Sequence, residues 1–93
     1  AVVYKSIMLS NKERTPQVIR NALLKFGIDD DPESYTLSHV LPDKEMILPM
    51  SANVYYAVNS EYDLNFVLRK KIQEKTEFLI NDYILKMKYV LHN

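Results

Sequence analysis

Few side chains in this 93-residue chain have the types and spacing that catalysis requires. The histidines His39 and His92 form no HExxH pair and follow no GxSxG-type nucleophile, so each is expected to be a surface or sheet histidine. Gly27 is the only glycine, which excludes the glycine-rich phosphate loops of the Walker and dinucleotide types. Because cysteine is absent, the chain has no thiolate nucleophile, disulfide or cysteine-based zinc site. The sequence predicts no enzyme activity, no cofactor and no metal.

Charged side chains gather in two conspicuous runs. The acidic loop 29–33 lacks the alternating oxygen ligands, central glycine and distal glutamate of an EF-hand, so a solvated loop is predicted rather than a calcium site. The basic run 69–71 could touch anionic lipid, but basic clusters at strand ends are usually solvated. Neither run predicts a chemical site.

Charge is balanced over the whole chain but uneven along it. Twelve basic and twelve acidic side chains give no reason to expect a nucleic-acid partner or a polybasic membrane anchor. Residues 1–28 nevertheless carry five basic side chains and one acidic one, Glu13. The basic residues are Lys5, Lys12, Arg14, Arg20 and Lys25. Such a basic region can steer an acidic partner and raise its association rate.

Size and hydropathy fit one small domain in the cytoplasm. An apolar content of 47% is enough for one modest core. Purely apolar runs are only a few residues long and no signal-peptide pattern opens the chain, so stable membrane insertion is not expected. Since the chain opens on Ala1 rather than methionine, we expect a module cut from a longer protein.

The elements that must position the basic side chains begin with a strand and a helix. The segment 2–9 is rich in β-branched and aromatic residues that Lys5 and Ser6 interrupt, which predicts a strand with an open side. Thr15 is expected to cap a helix that Pro16 begins. Gly27 is expected to end this helix in the left-handed conformation, with Ile28 covering the last turn. The predicted buried stripe of this helix consists of Val18, Ala22, Leu23 and Phe26.

The remaining elements are mostly strands. Alternation over 34–41, a turn at 42–45 and the apolar segment 46–48 predict a hairpin. The segment 54–58 reads as a short strand or extended stretch, and 64–68 as a strand closed by the basic run. Several strands with one long helix favour an α+β fold, in which a mixed sheet wraps one main helix.

Four segments also carry a family resemblance. They are Tyr4-Lys5-Ser6-Ile7-Met8-Leu9, the segment from Arg14 to Arg20, the segment from Ser51 to Val58, and the segment from Asn65 to Lys71. In order and spacing they resemble the Ras-association domains of Ral guanine-nucleotide exchange factors, over residues 3 to 71. The resemblance implies a ubiquitin-like β-grasp roll that binds the GTP-loaded form of Ras-family small GTPases and is not itself an enzyme. It also implies a cytoplasmic module that is recruited to membranes through the GTPase.

The resemblance further implies a binding site. In that family the second strand lies at the sheet edge and pairs with an edge strand of the GTPase, while nearby basic side chains face acidic residues of switch I. The positions carried over to this chain are Lys5, Ser6, Ile7, Met8, Arg20, Lys25 and Lys86. Lys5 and Lys25 fall outside the apolar stripe, and an open strand edge is a ready template for pairing with another chain.

The chain departs from the family at both ends. The family's first strand, of the kind Ile-Ile-Arg-Val followed by a hairpin turn, would precede Tyr4, where we expect no room for it. Residues 72–93 have no standard family equivalent, yet 85–91 alternates as a half-buried strand does. Read cyclically, 84–93 followed by 1–9 looks like the missing hairpin. We therefore predict a domain over 1–71 whose first-strand position is filled by 72–93. The strand would come either from the same chain, as a circular permutation after a crossover of about a dozen residues, or from a second chain, as a swap.

Two other interpretations of residues 72–93 stay open. Leu79, Tyr83 and Met87 also share a helical face, so the segment could be one amphipathic helix, appended to the domain or forming a dimer contact. It could also be the partly disordered start of a following domain. The alternative function is then a structural or oligomerisation module of a multidomain signalling protein, with a homodimer through 72–93 and no GTPase binding.

Overall fold

The computed structural model describes residues 4–58, 64–71 and 85–91, the last of these as backbone only. The elements in chain order are β1 (Tyr4–Leu9), α1 (Thr15–Phe26), a 3₁₀ turn (Pro32–Ser34), β2 (Tyr35–Val40), β3 (Glu45–Ile47), α2 (Val54–Ala57), β4 (Asn65–Lys70) and β5 (Leu85–Leu91). The predicted α+β class, with one main helix against a sheet, is confirmed. The predicted end of β4 at Leu68 is two residues short, because Arg69 and Lys70 continue its pairing with β2.

The strands form one mixed sheet in the order β1-β5-β4-β2-β3. β2 is antiparallel to both β3 and β4, and β5 is antiparallel to β4 but parallel to β1. The predicted hairpin is confirmed, since Val40 pairs with Glu45 and the N–H of Leu41 donates to the carbonyl of Lys44 at 2.8 Å. β1 and β3 are therefore the two end strands of the sheet that the structure describes.

The C-terminal strand lies between β1 and β4. Its register pairs Leu9 with Leu91 on one side and Leu68 with Leu85 on the other. A hairpin between β5 and β1 would need antiparallel pairing, so that part of the sequence prediction is wrong. β1 and β4 run in opposite directions. Whichever way the strand between them runs, it must therefore be parallel to one of them and antiparallel to the other. The predicted crossover falls in residues 72–84, which lie outside the described residues. The alternative of one helix through Met87 is wrong for 85–91, because these residues form β5.

The main helix has the local signals that the sequence predicts. Pro16 stands in its first turn, and Gly27 ends it with a φ of 71°. The N–H of Ile28 donates to the carbonyl of Leu23 at 2.9 Å, which satisfies one of the last free carbonyls of the helix. Val18, Ile19, Ala22 and Leu23 form its buried stripe, with Phe26 packed at the margin.

The prediction that Thr15 caps the helix is wrong. Arg14 occupies the cap position, and no side chain makes a capping hydrogen bond there. The Thr15 hydroxyl is fully buried and donates instead to the carbonyl of Pro49 at 2.7 Å, while the Thr15 N–H donates to the carbonyl of Ala52 at 3.1 Å. Most buried hydroxyls in proteins are hydrogen-bonded, and the acceptor for Thr15 belongs to the segment after β3.

The segment 54–58 is also not extended as predicted, because Val54–Ala57 forms one helical turn. The Asn53 side chain accepts a hydrogen bond from the N–H of Tyr56 at 3.4 Å, and the N–H of Ala57 donates to the carbonyl of Asn53 at 3.0 Å. This cap, together with the complete burial of Val54, outweighs the strand preference of the valine and tyrosines.

The core lies between α1 and one face of the sheet. Its fully buried large side chains include Leu9, Ile19, Leu37, Phe66 and Leu68. Burying a side chain of this size contributes about 1.5–3 kcal/mol. Because these residues come from β1, α1, β2 and β4, the core fixes the strand at the sheet end against the helix.

Three polar side chains are buried among the described residues, namely Thr15, Ser38 and His39. His39 on β2 is fully buried and stacks on Phe66 with ring centroids 5.2 Å apart. Neither ring nitrogen has a hydrogen-bond partner within the described part of the chain. Burial therefore lowers the pKa of His39 below its ordinary value of 6.5, because the charged imidazolium would lose its hydration. The sequence prediction of a sheet histidine is confirmed.

This burial predicts that mild acid destabilises the fold. As pH falls below about 6.5, the unfolded chain binds a proton at His39 that the folded chain does not, so the free energy of unfolding decreases. Urea unfolding at about pH 7.5 and about pH 5.5 measures the difference. We expect His39→Leu to reduce it. An undiminished pH dependence in His39→Leu would assign it to other groups.

Candidate partner-binding edge

β1 leaves one of its edges open. Among the described residues its neighbour is β5, and the other side of Tyr4–Leu9 has no adjoining strand. A strand in this position presents unpaired N–H and C=O groups in a row. Such a row can accept an extended segment of another protein through main-chain hydrogen bonds.

The two faces of β1 differ in what they expose. Tyr4, Ser6 and Met8 alternate on the face away from α1, with Tyr4 63% and Met8 58% exposed. Ile7 is buried in the core on the other face, so at this position a partner can reach only the backbone. Lys5 shares the face of Ile7 but is exposed at the start of the strand. Sequence reasoning did not include Tyr4 in the site, although its alternation with Ser6 and Met8 was visible.

The topology brings Lys5 and Lys25 to the same end of the domain. A short turn joins Leu9 to Thr15, and α1 then packs back along β1 on the core face. The last turn of α1, which carries Lys25, therefore lies towards the start of β1, which carries Lys5. Both ammonium groups are exposed. Both therefore lie towards the end of the domain at which β1 begins.

The other two predicted basic residues are placed differently. Arg20 is exposed on α1, but five residues along a helix separate it from Lys25 by about 140° around the axis. Arg20 and Lys25 therefore cannot face the same way. The backbone of Lys86 in β5 pairs with Tyr4 and Val67, so it lies one strand inward from the open edge.

Two ion pairs connect the basic run on β4 to the acidic loop and to β3. Asp30 accepts hydrogen bonds from the Tyr35 hydroxyl at 2.7 Å and the Lys70 ammonium at 3.3 Å, and these two donors hold the pKa of Asp30 below its usual value. Arg69 pairs with Glu45 at 2.6 Å. The partners are 40 and 24 residues apart, so no local pattern could have predicted these pairs.

These ion pairs weaken the lipid interpretation of the basic run, because two of its three charges already have acidic neighbours. Within the ranges that the structure describes, no helix has the length and apolar character needed to cross a bilayer.

Sequence comparison with known proteins shows the family of this chain. The sequence profile of the family described as "RA: Ras association (RalGDS/AF-6) domain" matches residues 1–73. The chain is 52% identical over 71 residues to human Ral guanine nucleotide dissociation stimulator-like 1, a match that covers 74% of this chain and 9% of that protein. It is 37% identical over 76 residues to human Ral guanine nucleotide dissociation stimulator-like 2, covering 80% of this chain and 10% of that protein.

A third relative is mouse Ral guanine nucleotide dissociation stimulator-like 3, which is 37% identical over 71 residues, or 74% of this chain and 10% of that protein. The chain thus spans only 9–10% of the length of these relatives. The family resemblance drawn from residues 3 to 71 is confirmed by a profile that covers the same region. The chain belongs to the Ras association (RalGDS/AF-6) domain family.

Proposed function

We propose that this domain binds the GTP-loaded form of a Ras-family small GTPase through the open edge of β1. The observation that carries the proposal is that β1 ends the described sheet with an unpaired edge, while Lys5 on β1 and Lys25 on α1 are both exposed. The family description and the names of the relatives supply the class of partner. Within this proposal the fold is a ubiquitin-like β-grasp roll, and the GTPase recruits the cytoplasmic module to membranes.

Strand pairing and charge have separate roles in this mechanism. The partner's edge strand exchanges main-chain hydrogen bonds with β1, which gives affinity with little dependence on side chains. Lys5 and Lys25 face acidic residues of the partner, which raises the association rate and makes binding sensitive to salt. An interface of this kind belongs near the lower end of the standard size range of about 1,200–2,000 Å².

The charge distribution supports an acidic partner at this end of the domain. Residues 1–28 carry a net charge of +4, whereas residues 29–68 carry −7. The acidic side chains of the second segment include Asp30 and Glu45, which are paired with basic residues of β4. Residues 69–93 carry the remaining +3, and two of their basic side chains, Arg69 and Lys70, are the ones paired with Glu45 and Asp30. The largest net positive charge therefore belongs to the segment that includes β1, α1 and the turn between them.

We also propose that the domain is a non-catalytic interaction module. The dissociation stimulators to which it is similar are about ten times longer than the matched region, which covers 9–10% of them. Any exchange activity of a longer parent would reside outside this domain, with the domain supplying recognition of the GTPase.

The C-terminal strand supports a second, compatible proposal. β5 lies beyond residue 73, where the family profile ends, yet it pairs on both of its edges. We propose that residues 72–93 of the same chain complete the sheet of the domain formed by 1–71. The competing arrangement, in which a second copy supplies the strand, would make the domain a homodimer or oligomerisation module.

Isothermal titration calorimetry tests the binding proposal. We expect heat from Ras or Rap loaded with a non-hydrolysable GTP analogue, little heat from the same proteins loaded with GDP, and weaker binding as salt increases. Absence of heat across a panel of GTP-loaded Ras-family proteins would refute the proposed partner class.

A further inference from the structure

A carboxylate in the turn between β1 and α1 connects the end of the strand to one flank of the helix. Glu13 Oε1 accepts a hydrogen bond from the Ser10 backbone N–H at 3.1 Å, and Glu13 Oε2 accepts one from the Asn21 side-chain amide at 2.6 Å. The Glu13 carbonyl also accepts from the N–H of Val54 at 3.2 Å, which holds its backbone against α2. Glu13 therefore links Asn21 to the residue that follows β1 and to the start of α2.

Asn21 lies one helical turn before Lys25. Residues four apart share a flank of a helix and are separated by about 6 Å along its axis. Thr15 holds the first turn of α1 through its hydrogen bonds to Pro49 and Ala52, and the bond from Asn21 to Glu13 is a further directional contact that lies nearer to Lys25. A rotation that moves Lys25 sideways must break the bond between Asn21 and Glu13.

We infer that Glu13 and Asn21 are positioning residues, which set the direction of Lys25 relative to Lys5 by fixing the rotation of α1 against β1. The effect on binding rests on the proposed function, whereas the effect on geometry does not. Neither residue belongs to the predicted contact set. Glu13 is also the only acidic residue in 1–28, and both of its oxygens receive donors from within the domain.

Exchanging the carboxylate and the amide between positions 13 and 21 provides the variants that test this inference. Asn21→Asp removes the amide donor and sets a second carboxylate against Glu13, so the link should break. Adding Glu13→Gln supplies a new amide donor from position 13, so the link should form again with donor and acceptor exchanged. The double variant has the same net charge as the wild-type chain. Gln17→Ala is the control, because it removes only the 3.4 Å contact to the Asn21 amide oxygen.

The geometric readout needs no partner. Because the chain has no cysteine, Lys5→Cys and Lys25→Cys introduce two unique sites for spin labels. We expect a narrow distribution of label distances in the wild-type background, in Gln17→Ala and in the double variant, and a broad or shifted one in Asn21→Asp. Circular dichroism establishes that each variant is folded, and Asn21→Ala replaces Asn21→Asp if the latter unfolds. An unchanged distribution in the folded variant would overturn the inference.

The binding readout uses a GTP-loaded Ras-family GTPase. Asn21→Asp should weaken affinity about threefold to tenfold, and Glu13→Gln should restore it although the carboxylate at position 21 remains. In a Lys25→Met background, Asn21→Asp should have no further effect. A loss of the same size in that background would overturn the inference, because the effect of Asn21→Asp would then not depend on Lys25. If the wild-type chain binds no GTPase, the proposed function fails. The label distances alone then test whether Glu13 and Asn21 fix the direction of Lys25 relative to Lys5.

Discussion

Lys5→Glu should weaken binding to a GTP-loaded Ras or Rap protein by about 1–3 kcal/mol, and Lys25→Glu should do the same. Each substitution replaces an attraction to the partner's acidic residues by a repulsion at the start of the open edge. Both lysines are exposed and outside the core, so the melting temperature should not change. Calorimetry of the two variants at low and moderate salt measures the loss, which should shrink as salt screens it.

Lys44→Glu is the matched control, because it makes the same charge change in the turn between β2 and β3, at the far side of the sheet. Its affinity should stay close to that of the wild-type chain. If Lys44→Glu weakens binding as much as Lys5→Glu does, the effect is one of overall charge and the proposed location of the partner is wrong.

Deleting residues 72–93 should abolish cooperative unfolding, the largest effect that the structure predicts. The deletion removes β5, which has six register pairs with β1 and four with β4. Without β5, an uncovered gap would separate β1 from β4, and the core residues Leu9 and Leu68 at its borders would lose a neighbouring strand. Thermal melting followed by circular dichroism measures the change, and deleting only His92 and Asn93 is the control.

Sedimentation of the full chain distinguishes the origin of β5. A concentration-independent monomer that loses its cooperative melt on deletion supports a strand supplied by the same chain. A dimer that dissociates on dilution or on deletion of 72–93 would instead favour the oligomerisation module. A truncated monomer that melts like the full chain would show that β5 contributes nothing to stability.

The sequence predicts an element well where its signals are local. Pro16 and Gly27 mark the ends of α1, and the alternation of β2 identifies the hairpin, because each signal acts within a few residues. Thr15 fails as a cap because its hydroxyl meets Pro49, 34 residues away. In 54–57 the tyrosines favour a strand, but the hydrogen bond from the Tyr56 N–H to the Asn53 side chain stabilises a helical turn instead.

Residue pattern and family resemblance place Lys5 and Lys25 in the candidate site, because strand alternation and helical spacing leave both outside the core. Helical periodicity alone already separates Arg20 from Lys25 by about 140°, so including both in one contact set was avoidable. That Glu13 links Ser10 to Asn21 could not be predicted, since it depends on how the turn after β1 meets α1. The alternation in β5 predicts a strand but not its direction, because reversing a strand preserves the alternation.

Hydrogen exchange of the β1 amides tests the central claim most directly. In a parallel pairing with β5, alternate N–H groups of Tyr4–Leu9 point towards the open edge, so these alternate amides should exchange more slowly when a GTP-loaded GTPase is added. The same amides should stay unchanged with the GDP-loaded protein. Protection that appears at β3 or elsewhere, while every β1 amide keeps its rate, would contradict docking at this edge.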